Sequence, residues 1–287
     1  MEGTKITGAL NAWVGRHEVS EDVITPRQAR QMAATLEVPT LEVSPECTAG
    51  APLPPLWHWM GWMPEAAMSG LGPDGHPARG GFLPPVPLER RMWAGGRLVF
   101  HAPLRIGEVL HRRSEIVKIV EKSGASGEMV FVTVAHEISG AQGLAITEEQ
   151  DIVYVAMPDK FTPPPPQPAP PNPLWSEPFP VNTVRLFRFS ALTFNAHRIH
   201  IDLPYAREVE KYPNLVVHGP LQAMALMGAA CAHSGRVPAA FRFRGVRPAF
   251  HTDTLCLNGW SGQDEQSLST VNQTGLQCMQ ATVNWRA

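Results

Sequence analysis

Eight residues of this chain bring together an amide, two imidazoles and a carboxylate: Asn195, His197, His200 and Asp202. An imidazole with an ordinary pKa of about 6.5 can take up a proton and return it near neutral pH. His200 is therefore the foremost acid/base candidate. Further along, His218-Gly219-Pro220 opens an apolar stretch. Proline suits the first position of a helix, and a helix N-terminus presents free N–H groups and a partial positive charge, which makes the Gly219 amide a candidate donor to a developing oxyanion. Lacking a Cβ, Gly219 also lets a ligand come close to the backbone. His197, His200 and Asp202 have the types of a two-histidine, one-carboxylate metal set. The HxxH spacing alone is short and unspecific, and no metal is expected.

Two runs of elements must hold these groups. In the first half, Pro26 to Leu36 has helical spacing and Leu53 to Met63 is apolar and Trp-rich. Strand-like runs follow at 108–121, 128–138 and 145–155, separated by glycine-containing turns, which predicts an antiparallel meander. In the second half, Pro220 to His233 is apolar on nearly every face, as befits a helix enclosed by a core. Strand-like runs follow at 239–246, 254–260, 267–272 and 277–285. A buried helix followed by an antiparallel meander, occurring twice, predicts an α+β tandem (double) hot-dog fold, each half a curved sheet wrapped around a helix. Eleven of the 29 prolines fall between Pro158 and Pro180. Proline lacks the N–H that a sheet ladder needs and favours extended geometry, so this stretch reads as a semi-rigid connector. The expected boundaries are 1–157 for a degenerate N-terminal hot-dog domain, 158–180 for the linker and 181–287 for a C-terminal domain carrying the functional segment.

The segment resembles the hydratase motif of MaoC-like (R)-specific enoyl-thioester hydratases, in which an Asp and a His five residues apart act together on a water. The corresponding positions here are Asn195 and His200. FSALTFNAHRIH and YPNLVVHGPL, with LPPLWHW and MWAGGRLVFHAPLRIGE in the first half, resemble a narrower branch. That branch contains itaconyl-CoA and mesaconyl-C4-CoA hydratases and the type 2 hydroxyacyl-thioester dehydratases, and it carries Asn at the first motif position. The resemblance covers most of residues 50–287. It implies a hydro-lyase that adds water to a branched C5 dicarboxylyl-CoA and forms citramalyl-CoA, with a CoA thioester as substrate and no cofactor. Dehydration of 3-hydroxyacyl thioesters is the alternative within the enzymes. A non-catalytic acyl-CoA-binding hot-dog protein is the alternative of another class.

Asparagine can hold a water but cannot accept its proton. Either His200 transfers protons alone while Asn195 positions the water, or a carboxylate arrives from elsewhere: Asp202, or Glu148, Glu149 or Asp151 in TEEQDIVYV. A substrate carboxylate needs a cationic partner, for which the planar fork of Arg is the better match. Arg97, Arg198, Arg242, Arg244 and Arg247 are candidates for that group or for the CoA phosphates. His197 and His218 are candidate pocket residues, His218 more plausibly as a structural one. His58, His101, His111, His136, His233 and His251 show no partner pattern. Gly70-Leu71-Gly72-Pro73-Asp74-Gly75 fits GxGxxG formally, but Pro73 and Pro77 forbid a phosphate-binding helix, and a loop over the active site is the better reading.

With Lys plus Arg at 24, Asp plus Glu at 26 and a net charge of −2, binding that neutralises many nucleic-acid phosphates is not expected. Four cysteines without a CxxC pair suggest a reducing, cytoplasmic setting. No apolar run reaches the ~20 residues of a membrane span. Hot-dog sheets pair edge to edge, so a homodimer is expected unless the tandem halves already satisfy that pairing.

Overall fold

The computed structural model describes residues 8, 10–37, 47–124, 127–262 and 265–286. The first half contributes β1 (His17–Val23), α1 (Pro26–Leu36), β2 (Arg90–Phe100), β3 (Val109–Gly124), β4 (Gly127–Gly140) and β5 (Gly143–Val155). The second contributes β6 (Trp175–Phe179), α2 (Thr183–Leu192), α3 (Leu203–Glu208), α4 (Gly219–Ser234), β7 (Pro238–Gly245), β8 (Leu255–Trp260), β9 (Glu265–Val271) and β10 (Gln277–Trp285). All ten strands form one sheet, ordered β1-β3-β4-β5-β2-β7-β10-β9-β8-β6. Every pairing in it is antiparallel.

The two halves meet strand to strand. β2 pairs with β5 of its own half on one side and with β7 of the other half on the opposite side, from Gly95↔Arg244 to Val99↔Ala240. The tandem halves thus meet within one chain the edge pairing expected between hot-dog sheets. A side chain at Gly95 would press on the backbone of Phe243 and Arg244, so the seam requires glycine there.

α4 lies across the sheet. Leu221 to Ala230 are buried without interruption, because alanine, methionine and leucine on all faces let the strands and α1 close around the helix. Pro220 stands in its first turn, and Gly235, in the left-handed region at φ 64°, ends it. α1 starts from a capping box in which Thr25 and Gln28 satisfy each other's backbone N–H groups.

The structure differs from the expectation at both sheet edges and at the seam. β1, β2 and β6 are strands where none was predicted, and β6 takes residues 175–179 from the expected connector. No helix among the described residues is long and apolar enough to cross a membrane.

Candidate active site

The mouth of α4 faces the segment 194–202, and between them and the sheet opens a cavity of about 1500 Å³. Its wall includes Asn195, His197, His200, Gly219 and Gln222 from the second half, and His76, Arg90 and Arg91 from the first. The predicted core of the site, Asn195, His200 and Gly219, is brought to one wall.

Backbone geometry orients each group. α2 ends at Leu192, Phe194 takes a left-handed conformation at φ 47°, and the chain turns into the short 3-10 turn Arg198–His200. The Asn195 side-chain oxygen accepts the His197 N–H at 3.0 Å, which leaves its amide N–H groups as the free donors. His200 Nδ1 lies 2.7 Å from the Val216 carbonyl and must donate to it, so the lone pair resides on Nε2. The His200 ring stacks on that of His218 with centroids 3.7 Å apart. Burial, then the proximity of His218 and His197, holds the His200 imidazole well below its ordinary pKa. It is a neutral base across the physiological range.

His197 is buried, and its Nε2 donates to Glu210 Oε1 at 2.9 Å. Glu210 is itself buried, and its other oxygen accepts from Arg90 Nε at 3.1 Å. Arg90 also donates to the Tyr212 hydroxyl and lies over its ring. The loop that precedes β2 supplies a second carboxylate–imidazole couple: His76 Nδ1 donates to Asp74 Oδ2 at 2.9 Å, and the His76 ring lies 4.3 Å from that of His197. Burial pushes His76 down to about 4 despite the pull of Asp74. Burial would raise Asp74, but the hydrogen bonds and charge of His76 outweigh it and hold the carboxyl at about 2.

Several predicted positions stand elsewhere. Asp202 caps α3 and accepts from Arg198 at 2.7 Å; the two side chains satisfy each other and neither lines the cavity. With Asp202 turned away, the metal set of His197, His200 and Asp202 is not assembled. Asp74, His76 and His197 do bring ligand-type atoms within 4.8 Å of one another. His218 is fully buried against Ser190, 2.9 Å from its hydroxyl, and sits behind His200 rather than on the cavity wall. Glu148 is buried away from the cavity and accepts from His58 Nε2, Trp59 Nε1 and the Gln150 amide, so it cannot replace a motif carboxylate, and His58 has a partner after all. Glu149 and Asp151 are both tied to Arg97. Of those three, Arg97 and Asp151 line the cavity. Arg242, Arg244 and Arg247 line it too, Arg244 donating to Gln280 and Arg247 to the Pro164 carbonyl.

Sequence reasoning passed over His76, Glu210, Arg90 and Tyr212. The signal for His76 lay inside the loop already placed over the site; the couple D-x-H within it was not separated out.

The chain is similar to known proteins over most of its length. The model of hydroxyacyl-thioester dehydratase type 2 matches residues 56–251. The chain is 47% identical over 280 residues to the mesaconyl-C(4)-CoA hydratase of Chloroflexus aurantiacus, covering 95% of this chain and 96% of that one. It is 29% identical to the mitochondrial hydroxyacyl-thioester dehydratase type 2 of Schizosaccharomyces pombe, over 71% of this chain and 76% of that one. Among solved structures, a MaoC-like dehydratase superposes with a TM-score of 0.72 at 14% identity, covering 96% and 99% of the two chains. A Mycobacterium tuberculosis protein described as having a double hotdog fold superposes at 0.57, with 13% identity over 95% and 96%. The fold is the tandem hot dog, and the chain is a hydro-lyase belonging to the hydroxyacyl-thioester dehydratase type 2 family.

Proposed function

We propose that this enzyme adds water to the C=C of mesaconyl-C4-CoA or itaconyl-CoA and forms citramalyl-CoA. The observation that carries the reading is the lone pair of His200 Nε2, fixed by the Val216 carbonyl, on the same cavity wall as the amide of Asn195 and the first turn of α4. The near full-length likeness to a mesaconyl-C(4)-CoA hydratase supports the substrate.

In this reading His200 Nε2 takes a proton from the water as its oxygen bonds to the carbon β to the thioester. With mesaconyl-C4-CoA, whose C=C is conjugated with the thioester, the Gly219 N–H stabilises the enolate oxygen and the imidazolium returns the proton to the α-carbon; with itaconyl-CoA the carbon that takes the proton is the terminal methylene. The substrate brings one carboxylate and the CoA phosphates. The cavity wall meets them with six arginines (Arg90, Arg91, Arg97, Arg242, Arg244 and Arg247) and three lysines (Lys118, Lys122 and Lys160) against the carboxylates Asp151 and Glu210. That charge excess favours a polyanionic thioester over a neutral acyl chain.

The test is to incubate the protein with mesaconyl-C4-CoA, itaconyl-CoA and crotonyl-CoA and follow the gain of one water by mass. The dicarboxylates should turn over faster; crotonyl-CoA far ahead of both would overturn the substrate assignment. His200→Ala should lower kcat by about 10²–10⁴.

A further inference from the structure

Asn195 cannot accept a proton from the reacting water, and the cavity wall offers a second imidazole that can accept its hydrogen bond. We propose that His76, oriented by Asp74, is the second acceptor for the reacting water. The inference rests on the hydratase reading above and names the residue that completes it.

The position of His76 is built rather than incidental. Its loop is clamped to the motif by the Arg198 N–H, which donates to the Asp74 carbonyl at 2.9 Å, and by the Arg198 guanidinium, which donates to the Pro73 carbonyl at 3.1 Å. Gly75, at φ 89°, lies so close to the Ala196 carbonyl that a Cβ would collide with it. Only glycine permits that approach. Asp74, next to this contact, receives the His76 backbone N–H at 3.1 Å on one oxygen and Nδ1–H at 2.9 Å on the other. The ring is thereby fixed in rotation and tautomer, and Nε2 is left as the bare nitrogen of a ring that lines the cavity. Held at about 4, His76 keeps that lone pair at neutral pH. His76 and His200 both line the cavity and both flank His197, whose ring centroid lies 4.3 Å from that of His76 and 5.5 Å from that of His200.

A water between these groups has all its valences used. It donates one hydrogen to His200 Nε2 and the other to His76 Nε2, and it accepts from the Asn195 amide, whose oxygen is occupied by the His197 N–H. The remaining lone pair faces the β-carbon. In the reaction the O–H bond toward His200 breaks and the C–O bond forms. The proton passes from His200 to the α-carbon, and the second hydrogen stays on oxygen as the product hydroxyl, hydrogen-bonded to His76. No further reactant is required.

Two variants of nearly the same volume test this. His76→Leu fills the space without an acceptor, whereas His76→Gln keeps an amide oxygen. With mesaconyl-C4-CoA, Leu should lower kcat by about 10²-fold, and Gln should recover at least about tenfold of that loss. The affinity for saturated methylsuccinyl-C4-CoA, measured by calorimetry, should stay within about threefold in both, since the water rather than the thioester is affected. Equal rates for Leu and Gln, or a loss of analogue affinity that accounts for the whole effect, would assign His76 to packing and sink the proposal. Wild-type activity that disappears with EDTA and returns with Zn²⁺ would also overturn it, by giving Asp74, His76 and His197 to a metal. Wild-type protein that hydrates none of the three thioesters overturns the hydratase reading itself; activity in the wild type with near-normal rates in both variants overturns only the role of His76.

Discussion

In the proposed reaction Asn195 decides how protons move, because an amide orders a water without accepting its proton as a base would. In that reaction the work falls to imidazoles whose tautomers are set from behind, His200 by the Val216 carbonyl and His76 by Asp74. The depressed pKa of His200 has a measurable sign. A base must be unprotonated to act, and a folded-state pKa below 6.5 keeps it so, so kcat/KM should stay flat from pH 8 down through 6.5 and fall only in more acidic buffer. A midpoint at or above 6.5 would contradict the burial of this ring. Glu210 has a separate task, since it balances the part-buried Arg90 and anchors His197. Glu210→Ala leaves the part-buried Arg90 guanidinium without its carboxylate and should destabilise the protein by roughly 1–3 kcal/mol in urea unfolding, whereas Glu210→Gln, which keeps an acceptor, should cost less. Asn195, His200 and Gly219 were legible because they are close in sequence and sit at a turn and a helix start. Glu210 and His76 were not, because their roles depend on chain reversals that bring residues 76, 90 and 210 together.

At the scale of elements, legibility followed hydrogen-bonding need. β3, β4 and β5 alternate and are separated by glycine turns, and α4 announces itself by being apolar all round, so all four were read close to their observed bounds. β6 was hidden by Pro178, which an edge strand accommodates by pointing its missing donor away from the ladder. β2 was hidden by Gly95-Gly96, which weaken a strand pattern yet are needed where β7 comes close. β1 is a polar edge strand whose alternation carries little apolar signal. α4 gives a prediction of its own: Ala229 is fully buried in a helix enclosed on all sides, so Ala229→Leu should cost roughly 1–3 kcal/mol in a denaturant titration. A change within experimental error would mean the helix has slack that its burial does not suggest.

Across the molecule, neutral histidines set the acid limit. His76 and His136 are held at about 4 and His218 at about 3, each primarily by burial. For a base whose pKa is lowered on folding, the unfolded chain binds more protons as pH drops, so stability is full above about 6.5 and is lost as pH falls toward the folded-state values. Urea midpoints should decline between pH 7 and pH 4.5, and a His136→Gln variant should show a shallower decline. The charge layout also differs between scales: a chain of net charge −2 lines its cavity with nine of its 24 Lys and Arg residues against two carboxylates.

The seam between the halves carries a consequence for biosynthesis. β2 is complete long before β7, so during translation one edge of β2 offers open backbone donors and acceptors that only the second half can cover. The nascent first half is therefore most exposed to mispairing while the proline-rich connector is being made. Within that connector the four consecutive prolines Pro163 to Pro166 lack the N–H that a ladder needs, so this stretch does not compete for the β2 edge.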